Sequence, residues 1–214
     1  MSLQVFKKPR VSTDLEPSRT IVLSESSSLE IYQDAVPCSS SDFSTLWNLH
    51  PTEHGEVVVY GKRHKVPRWM ALYGLGTYTF AGQTMNPNPE IPELVQRCFD
   101  YANQVYPRIT WNGALVNWYA DGDHYIGKHS DDERDLQPNV PILSFSFGGV
   151  RTFRIAKKAG KTVVDVPTLH GSLIAMCGKM QKEFTHEVPR TKKPVGKRVN
   201  VTVRSFKISG GEKI

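Results

Sequence analysis

A chain of 214 residues with 39% hydrophobic and 22% charged residues is long enough for one sizeable core and ordinary enough for a single globular domain. Lys and Arg number 27 against 21 Asp and Glu, and this formal charge of +6 favours nucleic acid over membrane as a partner. No apolar run approaches a bilayer span, no cleavable apolar leader opens the chain, and Cys38, Cys98 and Cys177 stand far apart, so an intracellular protein with reduced thiols is expected, without membrane segment or thiolate zinc site. Residues 1–19 mix Lys7, Lys8 and Arg10 with prolines and hydroxyl side chains, and are expected to form a mobile basic lead-in to one domain over residues 20–214.

Ser39-Ser40-Ser41-Asp42 offers N-caps for a short helix carrying Phe43, Leu46, Trp47 and Leu49. The run Val57-Val58-Val59 predicts a strand over residues 56–60, and Gly61 to Lys65 reads as a basic turn. Gly74 and Gly76 split the next apolar stretch into strands at Trp69 to Tyr73 and Tyr78 to Phe80. Pro92 suits the first position of a helix running to about Tyr106, with Leu94, Val95, Cys98, Phe99, Ala102 and Val105 on one face and Pro107 as its stop. From Gly113 the pattern changes to short alternating runs at residues 114–119, 142–147, 151–156, 162–166, 172–176, 184–188 and 198–206. Many short strands between Gly and Pro turns predict a mainly β fold, a sandwich or jelly roll, with the helices packed outside.

His129 and Asp131 stand two apart, so on an extended segment an imidazole and a carboxylate project from one face. One further imidazole would complete the facial set that holds ferrous iron and leaves three positions open, although a surface turn accounts for the pair alone equally well. In Arg198-Val199-Asn200-Val201-Thr202-Val203-Arg204 the polar residues take every second place. A surface strand can alternate in this way, but two guanidinium forks on one face also suit a dicarboxylate. Asn117 and Tyr119, again two apart, offer neutral donors, and His186 lies one strand before the arginine row, where it can be a structural histidine or a ligand.

Taken in order, Asn117-x-Tyr119, His129-x-Asp131, His186 and Arg198-x-Asn200-x-Thr202-x-Arg204 resemble the motifs of the AlkB family of Fe(II)/2-oxoglutarate-dependent dioxygenases, over roughly residues 57–206. The resemblance implies a double-stranded β-helix (jelly-roll) core at about residues 113–207 and a nucleotide-recognition region at about 55–90. It implies Fe(II) held by His129, Asp131 and His186 as the catalytic centre, with molecular oxygen as the oxidant. It also implies 2-oxoglutarate gripped by Arg198 and Arg204 and supported by Asn117, Tyr119, Asn200 and Thr202. Asp131-Asp132-Glu133-Arg134, Tyr78-Thr79-Phe80, Val59-Tyr60-Gly61-Lys62 and Val66-Pro67-Arg68 are similar to the branch that repairs alkylated double-stranded DNA.

In that branch a Val-Phe-Gly finger fills the gap left by a flipped base, and here Tyr60 stands for the Phe. The likeness implies that Tyr78, Phe80, Asp132 and Glu133 surround the flipped base, with Thr79 in the same triplet. Lys62, Arg63, Lys65 and Arg68 are placed to meet phosphates. Lys157 to Lys161 is shorter than that branch's basic loop. The expected activity is removal of the methyl group from 1-methyladenine and 3-methylcytosine in DNA, with formaldehyde and succinate released, by a monomer acting in the nucleus of a eukaryote. The same chemistry on single-stranded DNA or RNA is the alternative.

Overall fold

The computed structural model describes residues 15–59, 62–75, 78–80 and 83–207. The chain begins with a hairpin of β1 (Arg19–Ser24) and β2 (Ser27–Tyr32), followed by α1 (Ser40–Trp47). Next come a hairpin of β3 (Glu56–Val59) and β4 (Lys62–Lys65), the strand β5 (Trp69–Gly74), a small hairpin of β6 (Tyr78–Phe80) and β7 (Gln83–Met85), and α2 (Glu93–Val105). The remainder is β8 (Gly113–Tyr119), β9 (Ile126–His129), β10 (Ile142–Gly148), β11 (Thr152–Lys157), β12 (Val163–Pro167), β13 (Ser172–Gly178), α3 (Met180–Glu183), β14 (Phe184–Val188) and β15 (Arg198–Arg204).

A seven-stranded sheet of order β1-β2-β13-β10-β15-β8-β5 faces a four-stranded sheet of order β12-β11-β14-β9. The eight strands from β8 to β15 are shared between the two sheets, which is the double-stranded β-helix expected from the sequence. Helices α1 and α2 cover the outer face of the large sheet. There Leu94, Val95, Cys98, Phe99 and Ala102 of α2 pack with Val199, Val201 and Val203 of β15 and with Trp118 of β8. The 3.6 period of the helix and the 2.0 period of the strand thus deliver their apolar residues to the same layer. Helix α1 is started by a capping box, in which the Asp42 N–H donates to Ser39 Oγ at 3.1 Å and the Ser39 N–H donates to Asp42 Oδ2 at 2.9 Å. The Trp118 indole N–H donates to the Leu46 carbonyl at 3.0 Å and ties that helix to the sheet.

All seven residues of β15 are buried, which excludes the surface-strand alternative for its alternation. The valines enter the helix-side core, and the polar row faces the space between the sheets. The segment read as a basic turn is also different: Lys62 to Lys65 form a strand that pairs with β3 from Val59↔Lys62 to Glu56↔Lys65, with all four side chains exposed. A charged strand of this kind is protected against edge-to-edge pairing, and only residues 60 and 61 remain for the connection. Pro92 is the N-cap of α2, one position before the place expected for it. No helix among the described residues is long and apolar enough to cross a membrane.

At Gly178 the large sheet gives way to α3. This glycine has φ +70, and a Cβ there would collide with the Ser26 carbonyl oxygen. Gly178→Ala is expected to destabilise the chain by about 1–3 kcal/mol, measured as a lower denaturant midpoint at an unchanged slope.

Candidate metal centre and cavity

His129 ends β9 and lies opposite His186 of β14, with ring centroids 4.2 Å apart. Asp131 is not on that strand at all, because β9 stops at His129. Its carboxylate is delivered by the turn that follows, so the one-face geometry expected of the triplet is replaced by a strand end plus a fixed loop. His129 Nε2 lies 3.6 Å from Asp131 Oδ1, and His186 Nε2 lies 3.9 Å from Asp131 Oδ2. One ligand atom from each of the three residues falls within 4.8 Å of the others.

The protonation states suit a cation. Burial pushes the His186 imidazole down to about 3, with His129 acting in the same direction and Asp131 opposing, so its ring is neutral at physiological pH. For Asp131 burial alone would raise the pKa, but Arg204 and the two imidazoles outweigh it and hold the carboxyl below the usual range. His129 Nδ1 is 2.9 Å from the Gly127 carbonyl oxygen, which holds a proton on Nδ1 and turns Nε2 toward Asp131. Asp131 Oδ1 is buried and accepts no hydrogen bond. Two imidazole nitrogens and a carboxylate oxygen that lacks a hydrogen-bond donor are a donor set that fits ferrous iron.

The cluster opens into a cavity of about 600 Å³ between the sheets, whose wall includes Asn117 and Tyr119 of β8 and the polar row of β15. Register places Tyr119 directly across from Arg198 and Asn117 across from Asn200. Arg198 is 1% exposed; it donates from Nε to Thr168 Oγ1 at 3.2 Å and from Nη2 to Ser146 Oγ at 3.0 Å, and its guanidinium lies 4.9 Å from the Tyr119 ring centroid. Its Nη1 is buried without a hydrogen-bond partner, and burial lowers its pKa. No carboxylate among the described residues pairs with it. Arg204, by contrast, donates to Asp131 Oδ2 at 2.9 Å and so belongs partly to the metal side. Thr202 Oγ1 donates to Asn200 Oδ1 at 2.9 Å, and Asn200 Nδ2 reaches Ser144 Oγ at 2.9 Å, so these two support one another across the cavity wall.

The sequence reading missed Ser144, Ser146 and Thr168. The first two alternate with Leu143, Phe145 and Phe147 on β10, beside the polar row of β15, and that period was visible. Arg151 was missed as well: it is buried, and it joins two loops by donating to the carbonyls of Asp121 and Pro189, each at 2.8 Å.

Arg68, expected among the phosphate contacts, is only 7% exposed and donates from Nε to Asn117 Oδ1 at 2.7 Å. It is a cavity-wall residue, because the chain enters β5 along the wall and carries this side chain inward. Asp132 and Glu133 also line the cavity, and Asp132 is exposed, with Lys158 Nζ 3.8 Å from its Oδ2. Lys62 is exposed on β4. Tyr60 and Gly61, and the side chains of Val59, Tyr78, Thr79 and Phe80, lie outside the described residues. The Lys157–Lys161 loop is a tight connection, closed by the Lys157 N–H donating to the Thr162 carbonyl at 3.0 Å.

The sequence model of the 2OG-Fe(II) oxygenase superfamily matches residues 22–204. The DNA oxidative demethylase ALKBH2 of Arabidopsis thaliana is 31% identical, over 90% of this chain and 71% of that protein. The chain belongs to the AlkB family of 2OG-Fe(II) oxygenases. Iron(II), 2-oxoglutarate and oxygen are the family's cofactor and co-substrates, and the donor set at His129, Asp131 and His186 fits the iron. The DNA oxidative demethylase ALKBH2 of Homo sapiens is 43% identical over 160 residues, which are 70% of this chain and 60% of that protein. This AlkB-family chain therefore spans less than two thirds of the human relative's length. Among solved structures, that of OsALKBH1 aligns with a TM-score of 0.54 at 19% identity, over 83% of this chain and 97% of that one, a likeness of fold.

Proposed function

We propose that this chain is an oxidative demethylase of N-alkylated bases in DNA, acting on 1-methyladenine and 3-methylcytosine in duplexes. The observation that carries the reading is the two-imidazole and carboxylate cluster beside a buried guanidinium that has no acidic partner among the described residues, in a chain similar to DNA oxidative demethylases. His129, Asp131 and His186 would hold iron. Arg198, seated on Tyr119, would receive the far carboxylate of 2-oxoglutarate, with Asn117, Asn200, Thr202 and Arg204 lining its path. Iron, oxygen and 2-oxoglutarate together supply the oxidation of an N-methyl group to N-hydroxymethyl, with succinate and carbon dioxide as co-products. The hydroxymethyl product then loses formaldehyde and restores the base.

A stacked base cannot enter the cavity, so the nucleotide must leave the helix, which costs least where alkylation has already spoiled pairing. Asp132 and Glu133 would accept hydrogen bonds from the exocyclic amine, while Phe80 and the His129 ring would hold the base plane. Residues 55–90 would form the recognition region, and 113–207 the catalytic core. Tyr60, at the connection of the β3–β4 hairpin, would refill the stack, with Gly61 allowing close approach and Lys62 near the phosphates. In a eukaryotic cell the nucleus is the compartment that holds such a substrate.

The test is loss of the methyl group, read by mass, from one methylated strand offered alone, annealed, and as RNA. The parent is expected to act on the duplex, and Tyr60→Ala to slow repair there while leaving the single strand nearly unchanged. Equal losses on both DNA forms would remove the finger role, and activity on RNA alone would replace the DNA reading.

A further inference from the structure

The stretch that presents Asp131 is outside the strand ladder, and its backbone is held from elsewhere. The Asp131 N–H donates to Gln181 Oε1 at 3.0 Å, and Ser130 Oγ donates to the Phe184 carbonyl at 3.0 Å. The other end of the Gln181 amide, Nε2, donates to Met176 Sδ at 3.4 Å. An N–H donor on one side therefore settles the amide orientation, with oxygen toward Asp131. Gln181 sits on α3, a single turn that lacks a side-chain cap and is too short to hold itself.

The turn is fixed from outside instead. Met180 is fully buried, the Lys179 N–H donates to the Ser26 carbonyl at 2.8 Å, and Lys158 Nζ donates to the Gln181 carbonyl at 2.9 Å. The Glu183 carboxylate accepts from Ser24 Oγ at 2.5 Å, Ser26 Oγ at 2.6 Å and Ser27 Oγ at 2.9 Å. Burial of Met180 and the hydrogen bonds at Lys179, Gln181 and Glu183 immobilise the turn, and with it the side chain that holds the Asp131 backbone N–H.

We infer that Gln181 is a positioning residue for the metal centre: its carbonyl oxygen fixes the Asp131 backbone and so aims the carboxylate between the two imidazoles, and the β1–β2 turn, through Glu183, is part of that support. The inference rests on the metal-centre reading above. Groups that orient a ligand in this way change metal affinity by roughly 10- to 100-fold when removed.

The experiment is a titration of the metal-free full chain with Co(II) alone, followed by the ligand-field bands of the ion, together with thermal unfolding of the metal-free form. Gln181→Met keeps the length of the side chain and removes the oxygen; Gln181→Glu keeps an acceptor for the Asp131 N–H. The expected result is Co(II) affinity about 10- to 100-fold lower in Gln181→Met, with altered bands and a parent-like melt, and affinity within a few fold of the parent in Gln181→Glu. Parent-like titration by Gln181→Met, or equal weakening in both variants, overturns the inference. Should Gln181→Met unfold, the Glu variant decides alone: parent-like binding supports the acceptor role, and weakened binding overturns it. If Asp131→Ala binds Co(II) as well as the parent does, the metal-centre reading itself fails, and the Gln181 role with it.

Discussion

Asp131→Ala is expected to reduce succinate and formaldehyde release to background and to lower stability by about 3–5 kcal/mol, the usual consequence of removing one partner of a buried ion pair. The Asp131 and Arg204 side chains are 2% and 4% exposed and pair at 2.9 Å, so the substitution removes one partner of a buried pair. The same substitution deletes the carboxylate of the cluster and leaves two imidazoles. Two effects therefore separate by measurement. Denaturant unfolding reports the ion pair, and the rise of the melting temperature with added Fe(II) or Co(II) reports the site, since a ligand that binds only the native state stabilises it by mass action. The parent should show that rise, and Asp131→Ala should not. Parent-like succinate production by the variant would contradict the assignment.

The second large effect belongs to Arg198. A buried guanidinium whose partners are two hydroxyls and a ring, with Nη1 unsatisfied, is costly until an anion arrives. Arg198→Met is accordingly expected to leave the ligand-free protein as stable as the parent or more so, while weakening 2-oxoglutarate binding by about 2–5 kcal/mol, roughly 30- to 5,000-fold in Kd. Arg198→Lys should fall between the two, because a point charge cannot reproduce the planar fork. Calorimetric titration with 2-oxoglutarate in the presence of a redox-inert divalent ion measures it. Unchanged affinity would place the carboxylate elsewhere in the cavity.

The polar row of β15 was legible because strand period alone puts Arg198, Asn200, Thr202 and Arg204 on one face, whatever surrounds them. What alternation cannot say is whether that face is wet. The answer depends on the second sheet packing over it, which is a tertiary fact. The same limit explains Arg68, whose charge suggested solvent while its neighbours turn it onto Asn117. Lys62 to Lys65 has little strand propensity, and its partner β3 makes it a strand. The β1–β2 hairpin was missed because Ser24-Glu25-Ser26-Ser27 carries no glycine or proline at its turn. Helix α3 was missed because four residues are too few for any period. Asp131 was read as the strand-mate of His129 from spacing, yet its place is set by Gln181, fifty residues on.

The most direct measurement is the stoichiometry of products from the chain incubated with Fe(II), 2-oxoglutarate, oxygen and an oligonucleotide containing one 1-methyladenine, compared with Asp131→Ala and Arg198→Met. The account predicts succinate and formaldehyde in equal amounts, matched to restored adenine, with none from Asp131→Ala and little from Arg198→Met at low 2-oxoglutarate. Methyl loss that persists in Asp131→Ala, or succinate formed by the parent with the methylated base left intact, would contradict it.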